Sequence, residues 1–141
     1  PIKLALSLHA PEDQLRHELI PGVRLRGVRE TLDEADNFFG KTGREYTVEY
    51  VLLQDVNDSK EQAESLATLL SGRRLHVNLI PYNSVSDLEF RRPPIERQKA
   101  FADLLRTSGL PVTLRRSLGG TEEAACGQLR RRPSPSASPA P

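Results

Sequence analysis

Methionine and tryptophan are absent from this 141-residue sequence, and cysteine occurs once, as Cys126. A lone cysteine excludes an internal disulfide and any all-cysteine metal or cluster site within the chain. No apolar run approaches the roughly 18 residues a membrane span needs, and no signal-peptide pattern is present. A reducing, cytoplasmic setting is the expectation. Glycine-rich phosphate fingerprints are missing too, since Gly119-Gly120 is too short to count as one. No Ser-His-Asp or Cys-His arrangement is specified by spacing. The missing methionine includes the initiator, and the sequence opens directly on a strand-like run. Both features lead to the expectation of a piece of a longer protein. The length suits one ordinary domain able to bury a core without staples.

Excess charge of one sign is also lacking, with 20 basic and 19 acidic side chains and a net charge of +1. That balance hides an asymmetry. Residues 1–70 carry 8 basic and 13 acidic groups, net −5, whereas residues 71–141 carry 12 basic and 6 acidic groups, net +6. Arginines cluster at Arg73-Arg74, Arg91-Arg92, Arg115-Arg116 and Arg130-Arg131-Arg132. Such pairs suit phosphate contacts, although on composition alone a solvated face is the simpler explanation.

Four strand-like runs stand out: Leu4–His9, Tyr46–Leu53, Leu75–Ile80 and Val112–Arg115. Three helix candidates lie between them. Val28, Leu32, Ala35, Phe38 and Phe39 share one helical face and stop at Gly43. Ala63, Leu66, Ala67, Leu69 and Leu70 share another, stopped by Gly72, with capping-box spacing at Ser59 and Gln62. The third follows Pro93-Pro94 and carries Ile95, Phe101, Leu104 and Leu105 before Gly109. This alternation predicts parallel βα units with right-handed crossovers. An open doubly wound sheet and a partial barrel both fit. The tail from Pro133 to Pro141 has no charge and no large apolar group, which predicts disorder.

In parallel α/β folds the carboxyl ends of the strands carry function. Here those ends offer Ser7 and His9, then Asp55, Asn57 and Asp58, then Tyr82 and Asn83, then Arg115, Arg116 and Ser117, with Cys126 beyond. A polar rim of this kind predicts a ligand site without specifying the ligand. Blander readings stand beside it. His9 could bond a loop carbonyl, Asn57-Asp58-Ser59 reads as helix capping, and Asn83 could shape a turn. His17 and His76 lack metal-ligand partners at useful spacing and read as structural. Cys126, between Ala124-Ala125 and Gly127, is either an inert buried thiol or a reactive one that small neighbours leave accessible.

Five blocks then occur in order: Leu4–Pro11; Glu49–Leu53 with Val56–Ser59; Val77–Asn83; Arg115–Ser117; and Ala124-Ala125-Cys126-Gly127-Gln128-Leu129. Together they closely resemble the carboxyl-terminal half of the radical S-adenosylmethionine (SAM) RNA methyltransferases of the RlmN/Cfr family. The resemblance spans residues 1 to about 130. It implies an α/β fold, a partial (β/α)6 barrel of which this chain holds about four parallel strands and three helices. Residues 1–129 would be barrel and cysteine loop, and residues 130–141 a disordered tail.

The resemblance further implies that Ser7, Leu8, His9 and Asn83 bind S-adenosylmethionine. It implies that Cys126 becomes S-methylcysteine before a radical step moves carbon to C2 of an adenine in 23S rRNA, with tRNA as a second substrate. A [4Fe–4S] cluster would be bound upstream, because the Cys-x3-Cys-x2-Cys motif is absent here. The fragment alone would then be inactive, and the full protein a cytoplasmic monomer without membrane contact. The arginine-rich half would face RNA. Two other readings share these residues: a Cfr-type enzyme methylating C8, and a non-catalytic RNA-binding remnant.

Overall fold

The computed structural model describes residues 3–20, 26–83 and 90–115. Its elements run β1 (Ala5–Ser7), α1 (Asp13–Leu19), α2 (Val28–Thr42), β2 (Tyr46–Leu52), α3 (Lys60–Leu70), β3 (Leu75–Pro81), α4 (Ile95–Thr107) and β4 (Val112–Leu114). The strands form one parallel sheet in the order β1-β2-β3-β4.

That sequential order decides between the two architectures the sequence left open. A doubly wound sheet reverses its strand order at a switch point, and this one does not. Side-chain alternation shows the same thing. Tyr46, Val48, Tyr50 and Leu52 of β2 join Leu75, Val77 and Leu79 of β3 in one buried cluster. The same cluster holds Val28, Leu32 and Ala35 of α2, Leu66 and Leu70 of α3, and Phe101 and Leu105 of α4. Three helices therefore cover one face of the sheet, as in a wall of a β/α barrel. Each fully buried leucine here contributes on the order of 2 kcal/mol through removal of apolar surface from water.

The three long helices lie where their periodicity places them. Ser59 Oγ accepts from the Gln62 N–H at 3.0 Å while Gln62 Oε1 accepts from the Ser59 N–H at 3.1 Å, completing the expected capping box. Gly43 ends α2 at φ 70, a left-handed position that costs glycine little, and its N–H donates to the Phe39 carbonyl at 2.7 Å. The described residues hold four helices, not the expected three. The additional one is α1, too short and too polar to show an apolar stripe. It performs two tasks through polar groups. Asp13 Oδ1 accepts from the Val28 N–H at 2.7 Å, supplying the cap that Gly27 cannot. Arg16 is buried and reaches back to β1.

A second apolar cluster lies at the carboxyl ends of the strands, built from Ala10, Leu19, Val51, Leu53, Ile80, Tyr82 and Phe90. Tyr82 and Phe90 meet edge to face at 5.7 Å between centroids. Among the described residues no helix is long and apolar enough to cross a membrane.

Candidate cofactor-binding rim

The backbone leaves β1 through Leu8, whose N–H still pairs with the Glu49 carbonyl at 2.9 Å. At His9 the chain turns sharply, with φ 65, a left-handed conformation uncommon outside glycine. Side chains hold that turn. Arg16 donates from Nη2 to the Ser7 carbonyl at 3.0 Å and from Nε to the Leu8 carbonyl at 3.2 Å. Asn57 Nδ2 donates to the His9 carbonyl at 2.9 Å. Three successive carbonyls are thus each fixed by a side chain from elsewhere in the sequence.

The His9 ring is fixed as well. Its Nδ1 accepts the Val51 N–H at 3.0 Å, so Nδ1 is unprotonated and the proton of the neutral ring sits on Nε2. Burial, and secondarily the Arg16 guanidinium, lowers the His9 pKa to about 3. At neutral pH His9 is therefore an uncharged N–H donor of defined tautomer. It is not a base in waiting.

Asn57 joins β1 to β2 and is fully buried. Besides His9, its amide donates to the Val51 carbonyl at 2.7 Å, and its Oδ1 accepts from the Leu53 N–H at 2.8 Å. Tyr50 Oη donates to the Asn57 backbone carbonyl at 2.7 Å. Reading Asn57 as a helix cap is thereby corrected. Capping belongs to Ser59, while Asn57 ties two strand ends together. Asp58 is likewise buried, not presented on the rim. Its Oδ1 accepts from the Asp55 N–H at 2.9 Å, and Arg97 lies 3.5 Å from Oδ2. Burial raises its pKa.

Asn83 follows buried Tyr82 and is half-buried at the end of β3. The Tyr82 N–H bonds the Leu52 carbonyl at 3.0 Å, which anchors this exit to β2. Two strand spacings, about 10 Å, separate the β1 and β3 exits. Ser7, Leu8, His9 and Asn83 are therefore carried on the same edge of the sheet. Cys126, Arg116, Ser117 and the tail from 130 to 141 lie outside the described residues.

Other expectations divide. His76 Nε2 sits 2.7 Å from Thr113 Oγ1, linking β3 to β4, which agrees with its structural reading. His17 is exposed on α1. Among the described residues no group of three or more His, Cys, Asp or Glu could hold a metal ion. The Arg73-Arg74 pair serves the fold. Arg73 bonds Asp33, Asp36 and the Leu69 carbonyl, while Arg74 pairs with Glu45 and lies 4.9 Å over the Phe39 ring. Sequence reasoning did not single out Arg16 or the tying role of Asn57. A buried arginine on a seven-residue polar helix leaves no periodic signal.

Comparison with known proteins bears on these residues. No family model matches the chain. A protein of Carboxydothermus hydrogenoformans named probable dual-specificity RNA methyltransferase RlmN is 48% identical over 130 residues, covering 92% of this chain and 38% of that protein. Its namesake in Symbiobacterium thermophilum is 50% identical over 133 residues, covering 94% and 36%. The chain thus spans a little over a third of the length of these relatives. A radical SAM methyltransferase structure from Sphaerobacter thermophilus superposes with a TM-score of 0.81 at 48% identity, over 93% of this chain and 38% of that one. A domain of a pyruvate-formate lyase-activating enzyme from Bacteroides vulgatus shares the fold alone, with a TM-score of 0.64 at 19% identity over 80% of this chain and 66% of that one. By sequence and by fold, the chain matches the carboxyl-terminal part of proteins named RlmN and of a radical SAM methyltransferase.

Proposed function

We propose that this chain is the part of a radical SAM RNA methyltransferase that holds S-adenosylmethionine at the strand ends and carries the methyl-relay cysteine. The reading rests chiefly on near-48% identity to relatives named as dual-specificity RNA methyltransferases. The fixed Ser7-Leu8-His9 turn supports it. A donor of defined tautomer at His9, the Ser7 hydroxyl and the Asn83 amide suit a polar, nucleoside-bearing ligand. The substrate would be C2 of an adenine in 23S rRNA. The word dual-specificity in the relatives' name fits tRNA as a second substrate. A cytoplasmic location follows from those substrates.

When bound, S-adenosylmethionine supplies a methyl group on a sulfonium, activated for displacement. In this reading Cys126, as a thiolate, would take the methyl carbon onto Sγ by displacement at the sulfonium, with S-adenosylhomocysteine as the leaving group and the thiol proton passing to solvent. Adenine C2 is electron-poor, so a polar transfer straight to it fails, which is why a protein-held carbon is useful. The [4Fe–4S] cluster does not fit this chain. Such clusters take three or four cysteine thiolates, and only Cys126 is present. Its ligands belong to another part of the complete protein.

Peptide mass spectrometry of the complete gene product, purified without oxygen, tests the relay. A methyl group on Cys126 is expected, together with 2-methyladenosine in digested RNA. Loss of that nucleoside in Cys126→Ala is expected too. Normal modification by the alanine variant would overturn the relay, and 8-methyladenosine as the product would overturn C2 as the target.

A further inference from the structure

The sheet face turned away from α2, α3 and α4 is polar, and its register is specific. Ser7 lies opposite Glu49, Glu49 opposite Asn78, and Asn78 opposite Thr113. Two residues towards the strand starts, Ala5, Thr47 and His76 form a parallel row. Parallel strands buried on both faces read as continuous apolar runs. These strands do so only at their carboxyl ends, where Val51 and Ile80 join the rim cluster. The Ser7–Thr113 row is therefore the polar stretch of that face.

Glu49 is the one acidic side chain in that row, on the interior strand β2, and it is half-buried. Among the described residues no group bonds or pairs with its carboxylate, and the side chains of Ser7 and Asn78 are also unengaged. A half-buried carboxylate without donors is unfavourable unless something brings them. Its neighbours are a hydroxyl and an amide, each able to donate and accept, whereas the carboxylate only accepts. Adjacent strands lie about 4.8 Å apart, so Glu49 stands beside Ser7, within one ligand group's reach.

We infer that Glu49 accepts hydrogen bonds from the ribose hydroxyls of the bound nucleoside, with Ser7 and Asn78 flanking it as a specificity-determining row. The inference deepens the proposed function and rests on its S-adenosylmethionine site. Two carboxylate oxygens match two vicinal hydroxyls, the pairing by which acidic side chains hold ribose in dinucleotide sites.

Isothermal titration of the complete gene product tests this with S-adenosylhomocysteine, its 2′-deoxyribose analogue, and 5′-methylthioadenosine, which keeps the ribose but lacks the amino-acid end. Glu49→Gln is expected to weaken S-adenosylhomocysteine and 5′-methylthioadenosine by about 10- to 100-fold, the range for a hydrogen bond to a charged group. The 2′-deoxy analogue should weaken by a clearly smaller factor, because only its 3′-hydroxyl is left for Glu49 to hold. Equal weakening of the ribo and deoxy ligands, with a lowered Tm, would assign Glu49 to the fold and overturn the inference. An effect on S-adenosylhomocysteine that vanishes with 5′-methylthioadenosine would assign it to the ligand's ammonium group and overturn it too. No change in any affinity would do the same. Failure of the unmutated protein to bind S-adenosylhomocysteine would instead sink the proposed function beneath it.

Discussion

Asn57 and His9 stand 48 residues apart in the chain and 2.9 Å apart in the fold, with the Asn57 amide donating to the His9 carbonyl. This bond holds a left-handed histidine at the end of β1 against the turn that follows β2. Asn57→Asp keeps the acceptor for the Leu53 N–H but sets a carboxylate against the carbonyls of His9 and Val51. A loss of about 3 kcal/mol is expected from leaving these buried groups unpaired. Chemical denaturation measures it. S-adenosylhomocysteine affinity, titrated well below the midpoint where the variant is still folded, should also fall. Unchanged affinity there would leave Asn57 a purely structural residue.

His9 makes stability acid-sensitive. Its pKa is about 3 in the folded state against an ordinary 6.5, so the unfolded chain binds the proton more readily. The contribution is complete above pH 6.5 and is lost as pH falls towards 3, at a slope of up to about 1.4 kcal/mol per pH unit. Asp58, whose pKa burial raises, titrates in the opposite sense. His9→Gln separates the two, since its amide oxygen can accept from Val51 without titrating. Thermal unfolding between pH 7 and 5 should fall less steeply for this variant than for the unmutated chain. Identical slopes would refute the assignment.

Arg16 fixes the carbonyls of Ser7 and Leu8. Arg16→Met keeps most of the buried stem and removes both donors. Two hydrogen bonds from a charged group imply a loss of about 2–4 kcal/mol, with nucleoside affinity falling alongside. Arg16→Lys should rescue little, because a single ammonium cannot reproduce the two-pronged geometry. Full rescue by lysine in both denaturation and titration would show that charge alone matters.

Arg73 separates fold from substrate binding. Its side chain is 14% exposed and bonds two carboxylates and a carbonyl. Arg73→Ala is expected to lower stability by about 2 kcal/mol, while leaving the salt dependence of RNA binding unchanged, since an arginine held by acids releases no counterions from RNA. A reduced salt slope in filter binding would return Arg73 to the RNA surface.

Much of the fold was legible in the residue order. The long helices announced themselves by the spacing of Leu32, Ala35, Leu66 and Leu70 and by the Ser59–Gln62 box, because amphipathic period and capping are local properties. Strand β2 was equally plain as a run of β-branched and aromatic residues, and β3 as a short apolar-rich run. Less was legible of what fixes the site. Ser7, His9 and Asn83 were singled out at the strand ends and Leu8 by resemblance, whereas Arg16 was missed and Asn57 was read as a cap, since a polar residue's burial depends on partners remote in sequence.

What the sequence determined by itself was the alternation of parallel units, the family resemblance, and the impossibility of holding a cluster with one cysteine. What only the tertiary structure decided was the sequential strand order, which puts α2, α3 and α4 on one face and leaves Ser7, Glu49, Asn78 and Thr113 in line on the other. The physical reason is that sheet register and side-chain hydrogen bonds couple residues dozens of positions apart, while periodicity and capping act within a few turns of chain.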